Sequence, residues 1–504
     1  MSAWSAIRRR VTPLDAGTVV AIFALALFFA RPLLEEWGLA LFFRVHGVHS
    51  YVDLAKAFPL RPLQIFPVAF QSALFGDSTL AFAATFGLLL VAKYVALRWA
   101  VGPFLPARAA WLAACLGTVL IPWDAAWRGR YSPAQLSAVF LFVALGAILR
   151  SRGRLQPTWI AVAAISIGLM LATYQALAVC AAVLPAVVLI GLPPAPVPRG
   201  EAVRVWIRRL AVAWLPIALG AALYGIYSLF AVHAAGTAGY EGVIVDSTTS
   251  RLSVSGAWHS LPDLYRTAYN KAPWALPLFA GILALLVAGP ISALPDRRAR
   301  AAWTLGLGAA ILLLPLTSLS YIASVSYLAD ADRIGFPPAV GFVLLAVTAL
   351  LRFGDPARYP LPPALERQMA LAIPVVAAGL LLWTLPLAKE NRRNYQAEDF
   401  VLSSTARAVH DAHASSVVVK DQTGTLGDVY TLYQSAFWSA LALRHTVLTT
   451  ATLCTPTGVD RVAPDAAALG VSSTPRCEAV PPEKPKPLVL QVVAVPGGLT
   501  MQPG

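Results

Sequence analysis

Residues 79–101 of the sequence, TLAFAATFGLLLVAKYVALRWAV, decide the class of fold. A helix that crosses the hydrocarbon core of a bilayer needs about 20 predominantly apolar residues. This run is long enough, and its only charged side chains are Lys93 and Arg98. Inside lipid such a run must satisfy its backbone hydrogen bonds internally, which a helix does. The stretch therefore predicts a transmembrane helix.

Apolar runs of similar length recur on both sides of this stretch. Of all residues, 58% are hydrophobic and 13% are charged, whereas soluble proteins carry about 25% charged residues. The pattern predicts an all-α polytopic membrane bundle of about eleven transmembrane helices. The predicted spans are 15–34, 79–101, 107–122, 133–150, 157–174, 176–192, 211–232, 273–291, 302–322, 336–353 and 370–388.

The distribution of arginine and lysine predicts the orientation. Arg8, Arg9 and Arg10 precede the first apolar run, which no clear small-residue cleavage site follows, so we interpret it as an uncleaved helix. If the N-terminus is cytoplasmic, the cytoplasmic loops hold roughly twice as many Lys and Arg residues as the opposite loops. The net charge of +14 then reflects topology and not nucleic-acid binding. We predict a bacterial inner-membrane protein with a periplasmic C-terminus.

The chain changes character after Lys389. Acidic and basic residues become frequent, a β-branched run covers Ser416–Val419, and a helical pattern covers Asp428–Leu443. These signals predict two domains, a transmembrane domain over 1–388 and a small extracytoplasmic α/β domain over 389–504. An oxidising periplasm permits a disulfide between its two cysteines, Cys454 and Cys477.

The first outer loop carries the richest set of polar residues, His49, Tyr51, Asp53, Lys56 and Arg61. Asp53 is a candidate general base, because a carboxylate can accept the proton of an attacking hydroxyl. The alternative is an interface carboxylate that pairs with Lys56 on one helical turn. Glu35 and Glu36, at the end of the first span, are candidates for the same catalytic role or for a simple interfacial one.

Three further groups of residues are candidates for substrate contacts. The arginines near residue 130 could bind phosphate, or the segment could form an aromatic belt with an internal ion pair. The Asp-x-Asp spacing near residue 331 is typical of divalent metal ligands, although two aspartates are too few for a site and a solvated ion-paired loop is the alternative. A tight hairpin between two spans could present an amide and a phenol, or be only a turn. These candidates are Asp124, Arg128, Arg130 and Tyr131; Asp330, Asp332 and Arg333; and Tyr174 and Gln175.

Two motifs are absent from the sequence. There is no Gly-x-x-x-x-Gly-Lys-Ser/Thr loop and no His-Glu-x-x-His motif. Their absence argues against an ATP-driven pump and against a zincin protease.

Segments of the chain resemble the GT-C glycosyltransferase superfamily, and most of all the bacterial O-antigen-modifying glucosyltransferases and related uncharacterised membrane proteins. The similar segments run from Tyr51-Val52-Asp53 to Arg61-Pro62-Leu63 and include the Tyr174-Gln175 hairpin and the layout of residues 1–388. The adjacent acidic pair often found in that first loop is missing, because Val52 and Leu54 flank Asp53. The catalytic carboxylate therefore stays open between Asp53, Glu35 and Glu36.

The resemblance implies a sugar transfer from a polyprenyl-phosphate donor to a cell-envelope glycan or lipid acceptor outside the cytoplasm. It implies that arginines hold the departing phosphate, and Arg61 is a candidate phosphate partner or a structural anchor. The resemblance assigns no cofactor and leaves a divalent metal ion open. One alternative is an O-antigen polymerase or ligase acting on lipid-linked glycans. Another is a transporter, which the sequence favours less because no internal repeat is visible and Lys93 lies near enough to the inner face to snorkel.

Overall fold

The structure is a computed structural model. It describes residues 12–32, 35–119, 132–151, 153–192, 199–235, 331–353, 395–423, 434–456, 475–480 and 486–504, together with the short pieces 297, 300–301, 303–306, 308, 389 and 392–393.

The described part of the chain is mostly helical. In chain order its helices are α1 Pro13–Phe29, α2 Glu35–His46, α3 Tyr51–Ala55, α4 Phe66–Leu74, α5 Thr79–Val101, α6 Ala107–Thr118, α7 Ser132–Ser151, α8 Pro157–Thr173, α9 Ala178–Gly191, α10 Arg199–Ala235, α11 Ala331–Phe353, α12 at 395–411 and α13 Gln434–Leu443.

Several of these helices are apolar enough to lie in a membrane. Among the described residues, Thr79–Val101, Ser132–Ser151 and Val203–Ala231 are also long enough to cross one. Shorter apolar helices cover Pro13–Phe29, Pro157–Thr173, Gln175–Gly191 and Ala339–Phe353. The predicted spans 273–291 and 370–388, and most of 302–322, lie outside the described residues.

Small residues let the helices of the bundle approach closely. A Cβ added at Gly220 of α10 would lie 2.5 Å from the carbonyl oxygen of Ala164 on α8, and one at Gly146 of α7 would lie 2.4 Å from the Trp99 ring. Helices in lipid associate through such close van der Waals packing, because lipid tails are as apolar as the side chains themselves. These glycines therefore define the helix contacts.

A buried ionic network fixes the N-terminus of α1. Thr12 and Asp15 form a reciprocal capping box, with Pro13 in the first turn. The same Asp15 carboxylate accepts a hydrogen bond from the Tyr94 hydroxyl at 2.6 Å and pairs with the Arg98 guanidinium at 3.0 Å. The network ties α1 to the C-terminal half of α5.

The described residues between 395 and 504 form a four-stranded mixed sheet with flanking helices, and we call this part of the chain the sheet unit. Its strands are β1 Ser416–Asp421, β2 Thr450–Cys454, β3 Leu488–Val495 and β4 Gly498–Pro503, in the order β2-β1-β3-β4. Strand β1 is parallel to β2 and β3, and β4 is antiparallel to β3. Helices α12 and α13 supply most of the other apolar side chains of its core. A disulfide bond joins Cys454 to Cys477.

The sheet unit packs against α2, which follows the first predicted span. Trp37 of α2 is a buried member of the sheet unit's own core. Its indole N–H donates to an oxygen of the Glu398 carboxyl group at 2.8 Å. Arg44, two turns further along α2, pairs with Asp77 at 3.1 Å and donates to the carbonyl oxygen of Leu443 at 2.7 Å. Helix α2 thus belongs structurally to both parts of the chain.

Candidate functional site

A hydrogen-bonded turn at residues 58–66 connects α3 with α4. The amide of Arg61 donates to the Phe58 carbonyl at 3.0 Å, and the amide of Gln64 donates to the Arg61 carbonyl at 2.9 Å. The amide of Phe66 donates to the Leu63 carbonyl at 3.2 Å, at the start of α4. The turn is therefore held by its own backbone, with Arg61 at its centre.

Side chains from three other parts of the chain anchor this turn. The Leu60 carbonyl accepts hydrogen bonds from the Gln175 amide at 2.9 Å and from the Tyr224 hydroxyl at 2.9 Å. The Tyr51 hydroxyl donates to the Pro62 carbonyl at 2.6 Å. Two of the residues that the sequence places in candidate sites, Tyr51 and Gln175, thus converge on the backbone next to Arg61.

The turn lies at one end of the bundle, which we call the loop end. The Leu63 amide donates to the carbonyl of Ala172 at the end of α8. The Ser137 hydroxyl, in the first turns of α7, donates to the Tyr174 carbonyl at 3.3 Å, and the Cys180 thiol donates to the Pro337 carbonyl, near the start of α11. The loop end therefore gathers the 58–66 turn, the 174–177 hairpin and the starts of α7 and α11.

Arg61 is nearly buried, with 9% of its surface exposed. The Tyr51 phenol beside it is half-buried, and burial together with the nearby Tyr227 raises the pKa of Tyr51 to about 12. Tyr51 therefore stays protonated at neutral pH and keeps donating to the Pro62 carbonyl. The loop end thus holds the nearly buried Arg61 on a backbone that neutral donors keep in place.

Asp53 lies on α3, two residues after Tyr51. Its side chain is 73% exposed and its carboxylate is 2.8 Å from the Lys56 ammonium. The hydrogen bond and charge of Lys56 lower the pKa of Asp53, so this carboxylate is ionised at neutral pH. His49, in the preceding turn, is also exposed. Asp53 is accessible to solvent. Its ion pair with Lys56 is the one expected if Asp53 is an interface carboxylate and not a general base.

Glu36 occupies a different environment from Asp53. It is 5% exposed and lies on α2 at the contact with the sheet unit, next to the fully buried Glu398. Burial, with Glu36 and Asp399 adding to it, raises the pKa of Glu398 well above its usual value. Glu35 is the first residue of α2, and only its backbone is described.

The environment of Lys93 differs from the one expected from the sequence. The side chain is fully buried, its ammonium donates to the Gln135 amide oxygen at 2.8 Å, and it lies 5.5 Å from the centre of the Phe336 ring. Helical side chains lean toward the N-terminus of their helix, which for α5 is the loop end. The interpretation that Lys93 snorkels to the inner face is therefore wrong.

The remaining candidates are only partly described. Tyr174 is buried, and its backbone carbonyl bonds Ser137. Asp332 and Arg333 lie in the first turn of α11, where only the backbone is described. The other candidates lie outside the described residues: Asp124, Arg128, Arg130, Tyr131 and Asp330. Within the described part of the chain, no group of three or more His, Cys, Asp or Glu side chains is arranged to hold a metal ion.

Sequence reasoning missed Tyr224, which sits inside the predicted span 211–232. A tyrosine in an apolar run is typical of an interfacial aromatic residue, and Tyr227 one turn later strengthens that interpretation. Both tyrosines lie close to the C-terminal end of this span. The predicted topology puts that end on the same side of the membrane as the first outer loop, and this position is the signal that could have identified Tyr224.

No protein-family model matches the sequence, and no curated protein matches it. Among solved structures, the chain is similar to ArnT from Cupriavidus metallidurans bound to undecaprenyl phosphate. The identity is 13% and the TM-score 0.49, over 97% of this chain and 94% of that one. It is also similar to the arabinofuranosyltransferase AftD from Mycobacteria, with 17% identity and a TM-score of 0.39, over 80% of this chain and 29% of AftD.

Proposed function

We propose that this chain is a membrane glycosyltransferase that moves a sugar from a polyprenyl-phosphate donor to a glycan or lipid acceptor of the cell envelope. The observation that carries the proposal is the anchored turn at residues 58–66, which holds the nearly buried Arg61 at one end of an apolar bundle. A guanidinium matches phosphate oxygens through two parallel hydrogen bonds. A donor whose tail stays in the bilayer brings its phosphate to such a place without a nucleotide-binding site.

The proposed reaction uses one base and one cation. An acceptor hydroxyl oxygen attacks the anomeric carbon of the sugar, the bond from that carbon to the phosphate oxygen breaks, and the polyprenyl phosphate leaves with the electron pair. Asp53 takes the hydroxyl proton, and Arg61 stabilises the charge that develops on the phosphate. Accessibility supports Asp53 over Glu36 as the base, because Glu36 is buried beside Glu398.

The proposal also assigns a side of the membrane. The loop end faces the periplasm of a bacterial inner membrane, as the arginine distribution predicts, and the sheet unit lies on that same side. Arg128, Arg130, Tyr131 and Arg333 are proposed as further phosphate partners from the outer loops.

Turnover by the full-length protein in lipid nanodiscs tests the proposal. The donors are a panel of undecaprenyl-phosphate hexoses and pentoses, the acceptor is isolated envelope glycan, and the release of undecaprenyl phosphate is measured. Asp53→Asn should lower turnover by about 10²–10⁴-fold, since it keeps shape and removes proton affinity. Asp411→Asn, at an exposed position of the sheet unit, is the control and should leave turnover unchanged.

Two results would refute different parts of the proposal. Wild-type protein that neither binds undecaprenyl phosphate nor releases it from any donor would reject the glycosyltransferase function. Full turnover by the Asp53→Asn variant would reject only the assignment of the base.

A further inference from the structure

The Leu60 carbonyl, the Gln175 amide and the Tyr224 hydroxyl form a triangle of hydrogen bonds. The Gln175 amide nitrogen lies 2.9 Å from the Leu60 oxygen and 2.7 Å from the Tyr224 hydroxyl oxygen, which in turn lies 2.9 Å from the Leu60 oxygen. The hydrogens and lone pairs of the three groups suffice for these three bonds. One amide hydrogen goes to each oxygen, the phenol hydrogen goes to the carbonyl, and the carbonyl uses both lone pairs.

This triangle fixes the residue immediately before Arg61 to two separate elements. Gln175 belongs to the hairpin between α8 and α9, whereas Tyr224 lies in the third quarter of α10. On the other side of Arg61, the Pro62 carbonyl accepts from Tyr51 of α3. The backbone on both sides of Arg61 is thus held from outside the turn, and a rotation of the turn would break bonds to three elements at once.

We infer that Tyr224 is a positioning residue that acts through the Leu60 carbonyl to aim the Arg61 guanidinium at the donor phosphate. The inference rests on the proposed function. A guanidinium binds phosphate well only when its planar fork is aligned with the oxygens, so a small rotation of its backbone lowers affinity without removing charge. Tyr224 itself does not touch the donor in this arrangement.

Tyr224→Phe is the variant that tests the inference, because it removes one hydroxyl and keeps the ring. Binding of undecaprenyl phosphate to full-length protein in nanodiscs should weaken about threefold to tenfold, because the variant loses the bond that the hydroxyl donates to Leu60 and the bond that it accepts from Gln175. Hydrogen exchange at the amides of Arg61 and of residues 63–66 should become faster. Ser228→Ala, one turn along the same helix, is the control: it removes a hydroxyl that donates to the Gly225 carbonyl of its own helix at 2.9 Å, and it should change neither measurement.

A double-mutant cycle with Arg61→Lys separates positioning from a general structural effect. If Tyr224 acts through Arg61, then adding Tyr224→Phe to the Arg61→Lys variant should weaken binding no further. Weakening by the same factor in both backgrounds would overturn the inference, and so would unchanged exchange of the turn in Tyr224→Phe. A wild-type protein that does not bind undecaprenyl phosphate overturns the proposed function, and the inference falls with it.

Discussion

The buried Glu398 should make the sheet unit less stable as the pH rises. The indole of Trp37 donates to one oxygen of this carboxyl group, and the other oxygen has no hydrogen-bond partner among the described residues. The charged neighbours are Glu36 on α2, Asp399 on the same helix and Arg444 after α13. Because burial and the two acidic groups raise the pKa of Glu398, its neutral form is the one that the folded state stabilises.

The sign and size of the effect follow from proton linkage. At a pH below the ordinary glutamate pKa of 4.5, the Glu398 carboxyl is protonated in both the folded and the unfolded state. The stability that its neutral form contributes is then fully present. Above it, only the unfolded state gives up the proton. The unfolding free energy therefore falls by about 1.4 kcal/mol per pH unit until the folded-state pKa of Glu398 is reached. Glu398→Gln keeps an acceptor for Trp37 and should remove this slope.

Hydrogen exchange of the strand amides measures the slope. Protection of β1 and β3 should be followed from pH 5 upward in nanodiscs, corrected for the intrinsic pH dependence of exchange, and compared between wild type and Glu398→Gln. Glu478→Gln, at an exposed position of the same unit, is the control and should keep the wild-type slope. Equal slopes for wild type and Glu398→Gln would refute the reasoning.

Two further predictions concern packing and the disulfide. Gly220→Ala should lower the free energy of unfolding by about 1–3 kcal/mol, because the new Cβ would lie 2.5 Å from the Ala164 carbonyl oxygen. Gly225→Ala on the same helix is the control, since its Cβ would meet nothing within 4 Å. Thermal melts in which Gly225→Ala is the less stable variant would contradict this prediction. Replacing Cys454 and Cys477 by serine should lower the unfolding free energy of the sheet unit by about 3 kcal/mol, because the bond closes a loop with a sequence separation of 23. The check is a melt with and without reductant, and a wild-type melting temperature that is indifferent to reductant would argue against it.

The described apolar helices of the bundle could be predicted from the sequence because hydropathy records them directly. The predicted span 79–101 has the bounds of α5. The run predicted at 211–232 is only part of α10, which begins at Arg199. Hydropathy marks the residues that lipid covers, whereas the helix continues through the preceding segment, where four arginines interrupt the apolar residues. Arginine favours a helix without being apolar.

The candidate site could be predicted only in part. Tyr51, Arg61 and Gln175 were found because they resemble short motifs, and the structure brings them to one turn. The partnership of Trp37 with Glu398 joins residues 361 positions apart. No local pattern reports such a pair, since each residue alone is typical of a membrane interface or of a solvated helix.

The contact between Trp37 and the sheet unit also constrains how many times the chain crosses the membrane. Two folded segments can share a core only if both lie on the same side of the bilayer. Between residues 46 and 395 the chain must therefore cross an even number of times, whichever side that is. The predicted spans between these positions satisfy this parity. Any revision of the spans within the undescribed stretches must add or remove them in pairs, or let one re-enter and leave on the same side.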